Sequence, residues 1–571
     1  MEGEGEEPGG HGGGGAGGPP LRALCCRELS LLEFPDRYVI RSVDPDGPDH
    51  AFSIGRSDGL VEPLFEDLSS LTPSRVSTIY GVLGIIRLIA GTYVLLITSR
   101  KEVGTHLNSS VFHVTSMRFL SCNGALKHST SQEKRDEAYF MSLLRTIEST
   151  PGLYYSYERD LTLNLQRTCK LTEERMHKPL WKQADPRFIW NHSLMEELIE
   201  NKLDAFTIPA IQGSFQSVQF TLKDSPARIT LISRRCNRRL GTRMWRRGAN
   251  LEGSTANFIE TEQILEFEGY KSSFLQIRGS IPLLWEQIVD LSYKPRLNII
   301  NHDETPKVVE RHFRDVMQRY GETIAIDLTD KEGDEGRLSD AFAAEMEKLP
   351  YCRYLLINTD GEILIEQNGI LRVNCVDCLD RTNVTQSYMA RKSLNLQLQQ
   401  MGAFSSSECI SMYSDIYEKF KILWAEHGDE ISLEYAGTHA LKGDLVRYGR
   451  QTVSGMIKDG ISALTRYYLN NFQDGIRQDA LDLISGRYTI SRSGPSPFQL
   501  NGFESLSYLP VASALIVGGL TMTTFTLNQV GRSTQHFISS VLWAGLTAGV
   551  VALVKANGKQ FCSRPRLCGL L

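Results

Sequence analysis

Ile370-Leu-Arg-Val-Asn-Cys375-Val-Asp-Cys-Leu-Asp-Arg381-Thr-Asn383 places five residues between a cysteine and an arginine, with a threonine directly after. Apolar, β-prone Ile370, Leu371 and Val373 lead into it. Val384, Tyr388 and Met389 follow at helical spacing, continuing toward Leu394 and Leu398. The segment therefore predicts a strand, a tight loop and a helix N-terminus, the arrangement that cradles a phosphate.

A phosphate monoester needs a nucleophile at phosphorus, donors around its equatorial oxygens and an acid for the leaving alcohol. A free thiol titrates near ~8.5, and amide dipoles with a fixed guanidinium lower that value. Cys375 is thus expected to be ionised at neutral pH and to form a cysteinyl-phosphate that water hydrolyses. The amides from Val376 to Arg381 are expected to converge on the phosphoryl oxygens, and Arg381 to hold two of them in its planar fork. Asp377 and Asp380 are the loop's carboxyls and therefore the candidate acids, with Asp377 slightly favoured. Thr382 is placed to hydrogen-bond the thiolate or the attacking water. Asn374, Val376, Cys378, Leu379 and Asn383 complete the expected substrate-binding loop.

Cys375 and Cys378 also form a C-x-x-C pair, a spacing used by zinc and redox sites. A structural zinc site needs two more Cys or His ligands at comparable spacing. The sequence offers no second C-x-x-C pair and no close His-x-x-x-His, so neither a metal nor a cofactor is expected. A disulfide between the two sulfurs under peroxide is the remaining redox reading, protecting the thiolate from overoxidation.

The string Asn374 to Asn383 resembles the catalytic loop of the SAC-domain phosphoinositide phosphatases. Further blocks resemble that family: Asn257-Phe-Ile-Glu-Thr-Glu-Gln263, Gln276-Ile-Arg-Gly-Ser-Ile-Pro282 with Trp285, Tyr435-Ala-Gly-Thr438 with Ala440-Leu-Lys442, and Arg466-Tyr-Tyr468 with Asn471-Phe472. The likeness runs from about Val76 to Tyr488 and continues into the membrane-anchored, suppressor-of-actin type subgroup. It implies a metal-independent phosphatase acting on a phosphatidylinositol monophosphate, with the 4-phosphate as target, at endoplasmic reticulum or Golgi membranes.

The chain has 571 residues, 41% hydrophobic and 23% charged, with a formal net charge of −5. That length allows two or three domains with sizeable cores, and the mild acidity gives no reason to expect nucleic acid. Eleven scattered cysteines, odd in number, do not suggest a disulfide framework. Met1 to Pro20 is glycine-rich, lacks the pattern of a secretory signal and reads as a disordered tail.

The expected fold is α/β: an N-terminal β-rich subdomain over 60–183, then a mixed-sheet catalytic subdomain over 184–490. Gly81 to Ala90 and Tyr93 to Thr98 read as strands turning at Gly91 and Thr92. Ile229 to Ile232, Ile324 to Leu328 and Ile363 to Ile365 read as strands of the catalytic part. The dense cluster Arg234, Arg235, Arg238, Arg239, Arg243, Arg246 and Arg247 reads either as a face toward anionic lipid, at about 1 kcal/mol per residue, or as a solvated loop. Lys442, Asp444, Arg447 and Arg450 read equally as contacts to the inositol phosphate or as an ion-pair network, with Lys442 and Arg447 entering the candidate substrate set.

Two uncharged apolar stretches, 506–527 and 537–554, approach the length that crosses a bilayer. Lys555, Lys559, Arg564 and Arg566 lie beyond the second, against Arg532 between them. The positive-inside rule then predicts a two-helix membrane hairpin with tail and catalytic domain in the cytosol.

Two features depart from the family pattern. A Phe-Asp-Phe-His-like strand and its following helix are expected before the strand of the loop, but Tyr351-Cys-Arg-Tyr354 runs straight into Leu355-Leu-Ile-Asn358. The C-terminal Arg566-Leu-Cys-Gly-Leu-Leu571 differs from the dilysine retrieval signal of some relatives. The interruption motivates a rival reading, a catalytically impaired membrane adaptor that binds phosphoinositide headgroups. A protein tyrosine phosphatase shares the loop chemistry and is disfavoured by the lipid-family blocks and the apolar C-terminal stretches.

Overall fold

The structure is a computed structural model that describes residues 24–44, 50–65, 72–122, 130–346, 356–357, 363–365, 367–490, 496–498, 508–529 and 534–569. The expected Met1–Pro20 tail, the Tyr351–Leu355 junction and the link with Gly531 and Arg532 lie outside these residues.

Strands β1 (Leu29–Glu33), β2 (Arg37–Ser42), β3 (Ala51–Gly55), β4 (Val61–Leu64) and β5 (Arg75–Ile79) form an antiparallel sheet in the order β4-β3-β2-β1-β5. Alternation points Leu29, Leu31, Ile40, Phe52 and Ile54 to one face, where they pack with Val82, Val94 and Phe206. Regular structure thus begins well before residue 60.

A second, twelve-stranded sheet carries most of the remaining β structure among the described residues. Its members are β6 (Val82–Arg87), β7 (Thr92–His106), β8 (Ser109–Ser121), β9 (Leu153–Tyr155), β10 (Ile211–Leu222), β11 (Ser225–Arg235), β12 (Ile259–Phe267) and β13 (Tyr270–Ser280). After the separate hairpin β14 (Trp285–Gln287) and β15 (Leu297–Ile299) come β16 (Glu322–Asp327), β17 (Leu356–Ile357), β18 (Ile363–Ile365) and β19 (Gly369–Cys375). The expected strands near Gly81, Tyr93, Ile229, Ile324 and Ile363 are all present, with the turn at Gly91 closed by a Leu88 amide donating to the Gly91 carbonyl.

The spatial order is β16-β19-β13-β12-β11-β10-β9-β8-β7-β6. Position 183/184 therefore lies between two paired strands of one sheet, β9 and β10, which align Tyr154 with Ile211. Pairing is antiparallel from β6 to β13, and β19 runs parallel to both β13 and β16. Parallel strands are buried on both faces, and β19 follows that rule: Ile370, Val373 and Cys375 are all buried.

Helices Asp380–Gln400 and Ser414–Ala436 cover one face through Leu394, Leu398, Phe420 and Trp424 against Leu231, Leu265 and Phe274. On the other side, helix Thr305–Tyr320 buries Val309 and Phe313 against Ile281, Leu338, Phe342 and Val376. The loop after β19 is thus fixed between two helical layers.

Neither reading of the arginine cluster holds. Arg234, Arg235, Arg239, Arg246 and Arg247 are buried. Arg234 sits between Glu260 and Glu262 at 3.1 and 2.9 Å, and Arg246 forks onto Asp482 at 2.8 and 2.7 Å. The buried carboxylates offset the charge locally. Arg238 remains near the surface, paired with Asp315 at 3.5 Å.

At the C-terminal end, helices Tyr508–Leu527 and Thr534–Ala556 pack side by side, so close at Gly519 that a Cβ would lie 2.2 Å from Thr547 Oγ1. Among the described residues, Thr534–Ala556 alone is long and apolar enough to cross a membrane; Val511–Leu527 is a shorter apolar helix.

Candidate active site

Cys375 is the last residue of β19, aligned with Ser280 of β13, while Asn374 aligns with Gly279 and with Asp327 of β16. Helix Asp380–Gln400 begins four residues beyond the expected nucleophile's neighbour Val376. The strand, loop and helix are those the sequence predicts, at the carboxyl end of a central parallel strand, where open α/β sheets bind ligands.

The loop is held from behind through its carbonyls. Arg247 Nη1 donates to the Val376 carbonyl at 3.0 Å, Asn257 Nδ2 to that of Asp377 at 3.0 Å, and Arg278 Nη1 to that of Cys378 at 3.3 Å. In a trans peptide the carbonyl and the next amide point opposite ways. Pulling three successive carbonyls back turns the amides of Asp377, Cys378 and Leu379 to the other side. Cys378 takes φ +57°, a left-handed conformation rare outside glycine, which curls the loop tightly. None of these pins is visible in the loop's own sequence; each comes from a block far along the chain.

Behind the loop lie Arg278 and Arg372, both fully buried. Arg278 donates to Asn383 Oδ1, and Arg372 donates to His312 Nε2 at 2.8 Å and to the Ser280 carbonyl at 3.0 Å. Burial pulls both guanidinium groups down to about 10, so they remain cationic at neutral pH.

In front of the loop is a cavity of about 370 Å³ lined by Val376, Asp377, Arg381, Arg243 and Arg247 on one side and by Lys294, Asp330 and Glu335 on the other. Of the expected residues, Val376, Asp377 and Arg381 face this space. Asn374, Cys378, Leu379, Thr382 and Asn383 are buried in the loop's support. The Asn374 amide and the Thr382 hydroxyl have no hydrogen-bond partner among the described residues.

The charged residues of the loop are each claimed by a distant partner. Asp377 accepts from Arg243 at 3.0 and 3.2 Å. Burial alone would raise its carboxyl, but Arg243, Arg247 and Arg466 outweigh burial and hold it well below the usual range. Asp380 accepts from Arg466 at 2.9 Å and from the Leu441 amide at 2.5 Å. Burial, with the Asp377 charge added, raises its carboxyl against the pull of Arg466. Arg381 pairs with Glu335 at 2.9 Å and Asp330 at 3.3 Å.

The thiol differs from expectation. Cys375 is 1% exposed, and burial, with Asp377 and Cys378 beside it, pushes its pKa up despite Arg381. Burial thus favours the neutral thiol, and Arg381, itself paired with two carboxylates, only partly opposes it.

Lys442 and Arg447 do not line the cavity. The Lys442 backbone amide donates to Asp459, and Arg447 is paired with Asp429 at 2.6 Å, the ion-pair alternative for Arg447. Residues the loop's sequence did not point to are Arg243 and Arg247, which face the cavity, and Asp330 and Glu335, which hold Arg381.

The profile of the SacI homology domain matches residues 80–368, just over half of the chain, and stops immediately before β19. The chain belongs to the SAC-domain phosphoinositide phosphatase family. It is 60% identical to the phosphoinositide phosphatase SAC8 of Arabidopsis thaliana, over 95% of this chain and 98% of that protein. It is 32% identical to the phosphatidylinositol-3-phosphatase SAC1-A of Danio rerio, over 94% and 98%, and 32% identical to the SAC1 of that description in Saccharomyces cerevisiae, over 86% of each. The alignment with the Arabidopsis protein spans 577 positions, more than the 571 residues here, although only 95% of this chain takes part. A few tens of positions are therefore occupied in the relative alone.

Proposed function

We propose that the chain hydrolyses a phosphatidylinositol monophosphate through a cysteinyl-phosphate on Cys375. The observation that carries this reading is the loop itself: three carbonyls tied back, three amides turned the other way, and the thiol at the end of a central parallel strand. Cationic Arg243, Arg247 and Arg381 at the cavity favour a dianionic phosphate. As the phosphate enters, it competes with Glu335 and Asp330 for Arg381, and the freed guanidinium then stabilises both thiolate and phosphoryl oxygens. Cys375 attacks phosphorus as the bond to the inositol oxygen breaks, and the proton given up by the thiol ends on that oxygen. Water then cleaves the phosphorus–sulfur bond, releasing inorganic phosphate and restoring the thiol.

Of the two loop carboxyls Asp377 lines the cavity and Asp380 does not, so geometry favours Asp377 for proton transfer. Its ionised form suits orientation of the attacking water. Asp380, held by Arg466 and the Leu441 amide, suits fixing the start of the helix. Thr382, with its unpartnered hydroxyl, suits a hydrogen bond to the thiolate or that water.

The 4-phosphate is the proposed target on family resemblance, and the relatives named as 3-phosphatases supply the competitor. The packed apolar helices are proposed to form a membrane hairpin, with Lys555, Lys559, Arg564 and Arg566 on the cytosolic side beside the catalytic part, in the endoplasmic reticulum or Golgi. The test is phosphate release by the full chain from vesicles carrying the 3-, 4- or 5-monophosphate, alongside Cys375→Ser. Release from the 4-isomer that vanishes in the variant supports the reading; equal release by the variant overturns the covalent route.

One observation favours a second reading, a headgroup-binding adaptor of low turnover: Arg381 is engaged by acids and the thiol is protonated, in a chain lacking positions its relatives have. Tight headgroup binding without phosphate release would select it.

A further inference from the structure

Helix Val453–Phe472 carries an apolar stripe on its outward face. Val453, Met456, Ile457, Ile461, Leu464 and Tyr468 recur at the three- and four-residue spacing of one helical face. They are exposed by 70%, 54%, 62%, 61%, 72% and 52%. The opposite face buries Gly455 and Arg466, and Asn470 and Asn471 are buried at the helix's C-terminal end. A contiguous exposed apolar strip marks an interaction surface.

The charges around it select the partner. Between residues 441 and 472 the exposed charged side chains are Lys442, Arg450 and Lys458. The acids of that stretch are half-buried and engaged within it: Asp444 accepts from Thr452, and Asp459 from the Lys442 amide and Gln451. An apolar stripe whose exposed neighbouring charges are basic complements a bilayer surface bearing anionic lipid.

Its position agrees. Tyr467, Asn470 and Asn471 of the same helix line the cavity beside Asp377 and Arg381. The chain that leaves the apolar helix Thr534–Ala556 returns to this spot: the Ser563 amide donates to the Asn471 carbonyl at 2.7 Å, and Cys562 Sγ to Asn471 Oδ1 at 3.4 Å. Gly558 lies so close to Asp290 that a Cβ would come within 2.1 Å of its carbonyl oxygen. Stripe, cavity and the end of the apolar helix are neighbours.

We propose that the Val453–Tyr468 face docks into the surface of an anionic bilayer and holds the cavity at headgroup level. The docking stands on the stripe and its charges; only what enters the cavity rests on the phosphatase reading. A lipid substrate has its acyl chains in the membrane and its phosphate above it, so a catalytic part resting on this face meets the phosphate without extracting the lipid.

The test uses the full chain in vesicles of phosphatidylcholine and phosphatidylserine. Ile461→Trp should add emission, relative to the unmodified protein, that is blue-shifted and quenched by phosphatidylcholine brominated on its acyl chains. Unquenched emission overturns the proposal, including the case in which copies cross-link through this face because a second molecule covers it. In parallel, Ile457→Glu with Leu464→Glu should lower release from vesicle-borne substrate by about ten-fold or more while leaving a soluble dibutanoyl substrate within about two-fold. An equal fall on both substrates overturns it, since the stripe would then act through Arg466 and the loop. If the unmodified chain releases phosphate from neither substrate, the phosphatase reading fails, and the quenching still decides the docking.

Discussion

At the scale of single residues, the site turns on who holds Arg381. A cysteine and an arginine at this spacing are legible in the sequence as a nucleophile and its clamp. What the spacing does not disclose is that Glu335 and Asp330, 46 and 51 positions away, take the guanidinium, or that burial keeps the Cys375 thiol protonated. Both arise from tertiary packing, which brings acids to the cavity that no local pattern announces. A consequence follows for Glu335→Gln. Removing the carboxylate frees Arg381 to favour the thiolate, so alkylation of Cys375 at neutral pH should quicken by about five- to ten-fold. In the unmodified chain the rate should keep rising as pH increases above neutrality, because a raised thiol pKa leaves the reactive anion scarce there. A rate unchanged by Glu335→Gln, read by mass spectrometry of the Cys375 peptide, would show that the pairing does not control the thiol.

At the scale of elements, the strand, loop and helix around Cys375 were the most legible part of the fold, because an apolar run gives way to helical spacing within a few residues. The supports of the loop were not legible. Asn257, Arg247 and Arg278 read as members of family blocks or of a basic cluster, and their common task shows only when β12 and β13 are laid beside β19. The arginine cluster misled for the same reason: its partners Glu260, Glu262 and Asp482 are distant in sequence and adjacent in space. Asn257 allows a clean test, since it adopts φ +48° and also pins the Asp377 carbonyl. Asn257→Gly keeps the left-handed turn and loses the pin, at about 1 kcal/mol. Asn257→Ala loses both and should cost about 1 kcal/mol more. Turnover should fall in both variants, with denaturant midpoints separating them; full activity in Asn257→Gly would show that the Asp377 carbonyl needs no anchor.

At the scale of the whole molecule, a sequence division into a β-rich part and a catalytic part meets a single sheet that runs through both. Alternating strands mark themselves in sequence, but which strands become neighbours does not, and β9 and β10 join the two parts through a pairing over fifty residues long-range. The relatives' extra positions bear on this scale too: a catalytic loop depends on the sheet behind it, and geometry of this kind tolerates little looseness. The fold also carries a buried titratable group at the junction. Burial raises the Glu434 carboxyl from 4.5 to about 8. Between those values the folded chain keeps a proton that the unfolded chain has lost, so stability should fall as pH rises from about 5 to about 8. Glu434→Gln, neutral throughout, should flatten that slope in thermal unfolding; an identical slope in both proteins would place the pH dependence elsewhere.

The most direct measurement is a rapid acid quench of the full chain turning over a phosphatidylinositol monophosphate labelled in the headgroup phosphate. Label should appear on the peptide that contains Cys375, rise before free phosphate does, and be absent from Cys375→Ser. Phosphate released with no label ever on that peptide, or label persisting on the variant, would contradict a sulfur-bound intermediate.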